Sequence, residues 1–253
     1  MPHASVNSRI GLPFLVFDKV DSSNNYAMAQ CHAGLAKHGQ AFFALHQFAG
    51  KGQRGRTWNA SPNENITISV VIHPNFPNNR YPFLLSAAVA LACIDLLNHL
   101  SIPECTIKWP NDIYWCDRKA GGILIENVYR INEWKASVVG IGLNINQTEF
   151  PPQETIPVSL KQITGAVHNP IELAKQLCLK LNERYNQLLE GDQNAILKEY
   201  NSFLYKKDKQ VKLKKGNIVF DTTVEGVSIM GELHTRDAID RTFAFGEVDW
   251  ILM

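Results

Sequence analysis

The sequence predicts an α+β fold: a mixed or antiparallel central sheet with helices packed on it, then a small C-terminal β-barrel. Three observations carry this. Short β-rich runs recur between Phe14 and Asn146, two long segments have helical periodicity, and the tail alternates between punctuating glycines at 216, 226 and 231. A length of 253 residues suits one large domain with a small appendage, which divides the chain into residues 1–208 and 209–253.

Each element follows from its residues. "FLVFDKV" from Phe14 reads as a strand, and "DSSNNYAMAQCHAGLAKHG" as a helix capped by Ser22 or Ser23 and ending near Gly39. "AFFALHQ" is a strand ending at Gln47, and "NITISVVIHP" is a strand stopped by Pro74. The apolar run from Phe83 to Leu100 contains Asp95, Asn98 and His99, too polar for a membrane span. It is expected to be a buried helix started by Pro82. "CTIKWPNDIYWC" reads as two extended pieces around a Pro-Asn-Asp corner, and "KAGGILIENVYR" and "KASVVGIGLNIN" as neighbouring strands. Asn169 and Pro170 open a helix whose buried face runs from Ile171 through Leu177 and Tyr185 to Leu188. A second helix covers roughly 194–204. From Lys209 the alternation is that of short strands in tight turns, a small β-barrel that needs the larger domain's support.

Composition narrows the function. A formal net charge of +1 argues against a duplex-binding surface, so any anion site must be local. The five cysteines are scattered without metal spacing and are expected as buried, reduced thiols. The eight histidines form no metal motif. The first residues lack the apolar core of a signal peptide. A cytoplasmic protein without membrane association is therefore expected.

Residues 50–56, "GKGQRGR", place three glycines and three cations in seven residues. They nearly spell a phosphate-binding loop of the G-x-x-x-x-G-K-[ST] type. That loop needs a helix directly after it, whereas "WNASPNEN" and a strand follow here. "GIGLNIN" from Gly140 likewise lacks the third glycine of a dinucleotide fingerprint, having Ile145 there. The bland alternative is a solvated basic loop. Against it stands Trp58, on which an adenine could stack while backbone N–H groups and guanidinium forks hold an anion. In "KWPNDIYWCDRKAGGILIE", Lys108, Asn111, Asp112 and Lys119 precede the pair Gly121-Gly122, which lets backbone approach a ligand closely. Taken singly, Asp112 reads as a turn residue and Lys119 as a solvated lysine.

Together these motifs resemble the biotin protein ligases, which biotinylate acetyl-CoA carboxylase and its relatives. "DSSNNYA", "QFAGKGQRGRTW", "KWPNDIYWCDRKAGGILIE" and "VVGIGLNIN" carry the match in family order, and the tail resembles the family's SH3-like domain. The resemblance implies a class II synthetase-like catalytic fold. It also implies two steps: biotin and ATP give biotinyl-5′-AMP and pyrophosphate, and the acyl group then passes to a carrier lysine. It places Ser22, Ser23, Asn24 and Gln47 at biotin, with Gly50, Lys51, Gly52 and Gln53 in the loop that closes over it. Gly122, Gly140 and Gly142 also fall at biotin. Lys51, Arg54, Arg56, Trp58, Asn111 and Asn144 fall at ATP or the adenylate. Lys119 matches the lysine that touches the biotin carboxylate and the α-phosphate. Lys119, Asp112 and Arg54 are the catalytic candidates.

The resemblance further implies Mg²⁺, held mainly by the ATP phosphates, with no residue singled out as its ligand. The implied partner is a biotin carboxyl carrier protein or domain of acetyl-CoA carboxylase or another biotin-dependent carboxylase. Only about a dozen residues precede the first strand, far below domain size, so the short form without a DNA-binding domain is expected. A free sheet edge could pair with a second copy or with the carrier. The family loop usually reads G-R-G-R-x-G-R-x-W, whereas Lys51 and Gln53 replace two of its arginines here. Rival readings are a lipoate or octanoate ligase of the same superfamily, and a non-catalytic biotin-binding or nucleic-acid-binding module.

Overall fold

The structure is a computed structural model that describes residues 9–77, 79–152 and 154–251. Most of the N-terminal stretch read for a signal core, and the last two residues of the tail, lie outside the described residues. Along the chain run β1 (Phe14–Phe17), α1 (Ser23–His32), β2 (Ala41–Ala44), β3 (Asn65–Ile72) and α2 (Phe83–His99). Then come β4 (Cys105–Lys108), β5 (Asp112–Trp115), β6 (Arg118–Arg130) and β7 (Glu133–Asn144). Helices α3 (Leu160–Thr164), α4 (Pro170–Leu189) and α5 (Gln193–Ser202) follow. Last are β8 (Gln210–Lys215), β9 (Ile218–Val227), β10 (Leu233–Arg236), β11 (Asp240–Phe243) and β12 (Asp249–Ile251).

The chain forms two compact units. The first comprises the described residues of Met1–Pro74, Gly122–Pro151 and Ser159–Asn182. Its strands lie in the order β1-β2-β3-β7-β6, with β1 parallel to β2 and antiparallel pairing from β2 to β3 and from β3 to β7. Strand β3 is buried at every position, as suits a central strand. Helix α1 packs on β2, β3 and β7, and Ala27, Phe42, Val71 and Val138 form part of one apolar cluster. The outer strand β1 leaves Leu15 and Val16 exposed.

Helix α1 stops seven residues before the expected end at Gly39. Gly34 takes φ +72, its N–H reaches back to Cys31 O and that of Leu35 to Gln30 O, so the chain leaves the helix there. Gly39 serves another purpose: a Cβ on it would lie 2.8 Å from Arg9 O. The short helix α3 was not foreseen. Ser159 and Gln162 form a complete capping box at its start.

The second unit comprises the described residues of Asn75–Gly121, Pro152–Val158 and Glu183–Met253. Here the order is β6-β5-β4, with β4 antiparallel to β5. Residues 203–205 run against β4: Ile107 N donates to Phe203 O at 2.8 Å, and Tyr205 N donates to Ile107 O at 2.9 Å. Helix α2 is apolar around nearly its whole circumference and packs against β4, β5 and α5. Arg184 forks to Asp95 on α2 and Glu199 on α5, at 2.6–2.7 Å. The tail forms a five-stranded antiparallel sheet in the order β11-β10-β9-β8-β12, which fits the SH3-like expectation. Asn201 on α5 binds both backbone groups of Val227, and Trp109 Nε1 donates to Gly231 O at 2.9 Å.

Candidate active site

In the first unit the site grows from the start of α1. Ser22 caps the helix, and Asp21 accepts from Asn25 Nδ2 at 2.6 Å, a bond that lowers the Asp21 pKa. The next two residues point into the sheet. Ser23 N donates to Gln47 Oε1 at 2.7 Å, and Ser23 Oγ lies 2.7 Å from Ser69 Oγ. Ser69 Oγ donates to Asn24 Oδ1 at 2.5 Å, and Asn24 Nδ2 donates to Glu126 Oε2 at 2.9 Å. A hydroxyl has one proton, so with Ser69 donating to Asn24 it is Ser23 that donates to Ser69. The chain of donors runs from Ser23 through Ser69 and Asn24 to the Glu126 carboxylate. Each neutral member is at most 4% exposed, so satisfaction of its polar groups is what makes this burial tolerable.

Strand β7 provides the floor. Gly140, Gly142 and Asn144 alternate on one face, opposite Ser69, Thr67 and Asn65 of β3. A Cβ on Gly140 would stand 2.2 Å from Asn24 Oδ1, and one on Gly142 would stand 2.4 Å from the Trp58 ring. Both glycines are needed for close approach. Asn65 donates to Gln147 Oε1 at 2.6 Å and accepts from Ile145 N at 3.0 Å, which fixes the chain just beyond β7.

The glycine-rich run is a hairpin. Lys51 and Thr57 bridge antiparallel, Gly52 N donates to Arg56 O at 2.7 Å, and Trp58 N donates to Gly50 O at 2.9 Å. Its tip, Gln53–Gly55, makes one turn of 3-10 helix with Arg54 at φ 55. No α-helix follows, so the structure agrees with rejection of the phosphate-loop reading. Lys51 Nζ lies 3.7 Å from Glu126 Oε1, and Gln53 Nε2 donates to Ile123 O at 3.4 Å. Arg54 and Arg56 are exposed at the tip. Trp58 lies against Gly142 and lines a recess with Gln47, Gly50 and Gln147. Gly122, on β6, belongs to this unit too.

In the second unit Lys119 Nζ contacts Asp112 Oδ1 at 2.6 Å, with side chains 22% and 14% exposed. The lysine's backbone is pinned: its N donates to Ile156 O at 2.7 Å, and its O accepts from Val158 N at 2.9 Å. Asp112 stands directly opposite Lys108 in the β4–β5 register, and Asn111, half-buried, sits in the turn between the strands. The sequence candidates thus divide between the units: Asn111, Asp112 and Lys119 fall in the second, and the others in the first. Among the described residues no group of three or more His, Cys, Asp or Glu side chains is arranged to hold a metal ion. Four cysteines are buried as expected. Cys116 instead is exposed on the turn after β5, with its Sγ 3.0 Å from Glu104 Oε2.

Sequence reasoning passed over Ser69, Thr67, Asn65 and Glu126. The first three carried a signal, since polar residues at alternate positions in the wholly buried β3 mark one face as a binding or hydrogen-bonding face. Glu126, in an apolar run, is a carboxylate that requires partners.

A sheet floored by glycines, a buried amide network and a cationic glycine hairpin together characterise this α+β protein. The model of the biotin/lipoate A/B protein ligase family matches residues 16–144, and the chain belongs to that family. It is 28% identical over 178 residues to the bifunctional ligase/repressor BirA of Bacillus spizizenii, covering 69% of this chain and 54% of that protein. With the biotin–[acetyl-CoA-carboxylase] ligase of Mycobacterium tuberculosis it shares 32% identity over 178 residues, 68% of this chain and 64% of the relative. The chain thus spans about half the length of the first of these relatives. In fold it is similar to the biotin protein ligase from Aquifex aeolicus in complex with biotin and ATP. The TM-score is 0.80 at 22% identity, covering 94% of this chain and 98% of that one.

Proposed function

We propose that this chain is a biotin protein ligase, which activates biotin as biotinyl-5′-AMP and transfers it to a lysine of a carrier domain. The observation that carries the reading is Lys119, a mostly buried cation fixed by Asp112 at 2.6 Å and by two backbone hydrogen bonds. When a carboxylate attacks the α-phosphate, negative charge collects on the phosphoryl oxygens. A pre-positioned cation stabilises that charge more than it stabilises the ground state. Lys51, Arg54 and Arg56 supply further charge on the hairpin. Neutral donors suit the uncharged part of biotin, and in this reading Ser22, Ser23, Asn24 and Gln47 meet it, floored by Gly140 and Gly142. Trp58, Asn111 and Asn144 meet the nucleotide.

Mg²⁺ belongs to this reading as a charge-neutralising ion on the ATP phosphates. Asn111 and Asp112 offer the hard oxygen donors that would hold it, and such a sparse protein donor set suits an ion that arrives largely coordinated by nucleotide. In the second step Asp112 orients the carrier lysine's ammonium or takes its proton; the resulting amine attacks the acyl carbon, the amide bond forms, and AMP leaves as the acyl–phosphate bond breaks. The partner is a biotin carboxyl carrier domain of the acetyl-CoA carboxylase type, and the compartment is the cytoplasm. Among the described residues no helix is long and apolar enough to cross a membrane. Residues 209–253 act as an SH3-like domain that assists the ligase domain, and β1, outermost in its sheet among the described residues, is the edge that would pair with a second copy or with the carrier.

The test is ATP-dependent pyrophosphate release with biotin, with lipoate or octanoate, and with neither, followed by transfer to a carrier domain. Biotin-dependent release with transfer is expected. Release with lipoate or octanoate alone would replace this reading by the rival ligase. Biotin binding without pyrophosphate release would leave a binding module.

A further inference from the structure

Strands β4 and β5 put Thr106, Lys108, Asp112 and Tyr114 on one face, because directly opposed residues and their alternates point the same way. Lys108 is only 9% exposed. Its ammonium lies 5.4 Å from the centre of the Tyr114 ring and 5.5 Å from that of Trp250, within reach of the negative face of each π-system. Tyr205 completes the aromatic wall at 5.1 Å from Tyr114 and 5.8 Å from Trp250, and its hydroxyl donates to Asp117 at 2.6 Å.

Trp250 comes from β12, the last strand of the C-terminal sheet, where it pairs with Leu213 of β8. That sheet is fastened to the same corner by the bond from Trp109, the residue after Lys108, to Gly231 O. The cage therefore joins the far end of the chain to the strand pair that carries Asp112. A lysine side chain is flexible, and two ring faces in a largely water-excluded setting restrict where its charge can sit.

We propose that Trp250 is a positioning residue: it holds the Lys108 ammonium against Tyr114, on the Asp112 face, and so makes the C-terminal sheet part of the machinery that handles charge. The kinetic half of this inference rests on the ligase reading, whereas the contact between Lys108 and Trp250 stands apart from it. Leucine at position 250 would keep apolar bulk but offer no ring face. Phenylalanine would keep the face and lose the indole.

The experiment uses the full chain and the variants Trp250→Leu, Trp250→Phe, Lys108→Met and Lys108→Met/Trp250→Leu, each checked for folding by circular dichroism. Trp250→Leu is expected to lower kcat for biotin-dependent pyrophosphate release about tenfold, with KM for biotin within about twofold of the parent. Trp250→Phe should recover most of the rate, and the double variant should be no slower than Lys108→Met alone. Losses that multiply in the double variant would overturn the proposal. So would a phenylalanine variant as slow as the leucine one, or an effect confined to KM for biotin. Should the parent release no pyrophosphate with biotin, the ligase reading fails, and urea unfolding of the same four variants decides the cage. Coupled shifts in midpoint would keep the contact, and additive shifts would remove it.

Discussion

Around Asn24 the polar side chains mostly satisfy one another with neutral hydrogen bonds, whereas around Asp112 they meet as full charges. Ser23, Ser69 and Asn24 are at most 4% exposed, and their network ends on the Glu126 carboxylate. Lys119 and Asp112 keep 22% and 14% of their side-chain surface in contact with water. The difference follows from desolvation. A neutral amide or hydroxyl can be wholly buried once its bonds are made, while an ion pair loses much of its hydration for a Coulomb gain that barely compensates. A buried neutral network recognises shape and hydrogen-bond pattern. A hydrated ion pair can exchange its partner for a substrate anion.

The sharpest way to break this contrast is to remove the cation of the charged region. Lys119→Ala should abolish biotin-dependent pyrophosphate release, with a loss of at least about 3 kcal/mol of transition-state stabilisation. Circular dichroism should show a retained fold, because Asp112 still has access to water. Near-normal release by the folded variant would end the assignment of charge handling to this region.

In the neutral region the matching change adds one carbon. Gly140→Ala would place a Cβ 2.2 Å from Asn24 Oδ1, and Asn24 cannot step aside without losing Ser69 or Glu126. The expected cost is about 1–3 kcal/mol, the usual penalty for overpacking, and it should appear both in thermal stability and in biotin affinity by calorimetry. Parental affinity in this variant would mean that the Asn24 network is structural only.

Much of this was legible in the sequence where one local rule decides. The buried helix α2 followed from a long apolar run broken by few polar residues, the start of α4 from Asn169 and Pro170, and the lack of a helix after the glycine-rich loop from Pro62 and its neighbouring asparagines; that the loop is a hairpin was not legible. The misses share a different cause. Gly34 and Gly39 both adopt positive φ, and only the backbone bonds from Gly34 and Leu35 show which one ends α1. Glu126 reads as an isolated acid until the sheet brings Asn24 to its oxygen, and Trp250 reads as an ordinary strand residue until its ring covers Lys108. Local propensity finds elements, but partners distant in sequence are fixed by the fold.

The smallest effect is expected where the cationic hairpin, distinct from both the Asn24 and the Asp112 region, is given one more charge. Gln53 stands at the start of the hairpin tip, and its amide reaches Ile123 O at 3.4 Å, a long neutral contact. An arginine there would offer a bidentate, permanently charged fork. Charge-assisted hydrogen bonds contribute roughly 1.5–3 kcal/mol against about 0.5–1.5 for neutral ones, so the surplus corresponds to about a tenfold change. Stabilising a bound state acts mainly on its escape, and Gln53→Arg should therefore slow dissociation of biotinyl-5′-AMP about tenfold while leaving its association nearly unchanged. Stopped-flow release of the purified adenylate measures this directly. Unchanged release would mean that position 53 stays turned toward Ile123 and that Arg54 and Arg56, exposed at the same tip, hold the phosphate without it.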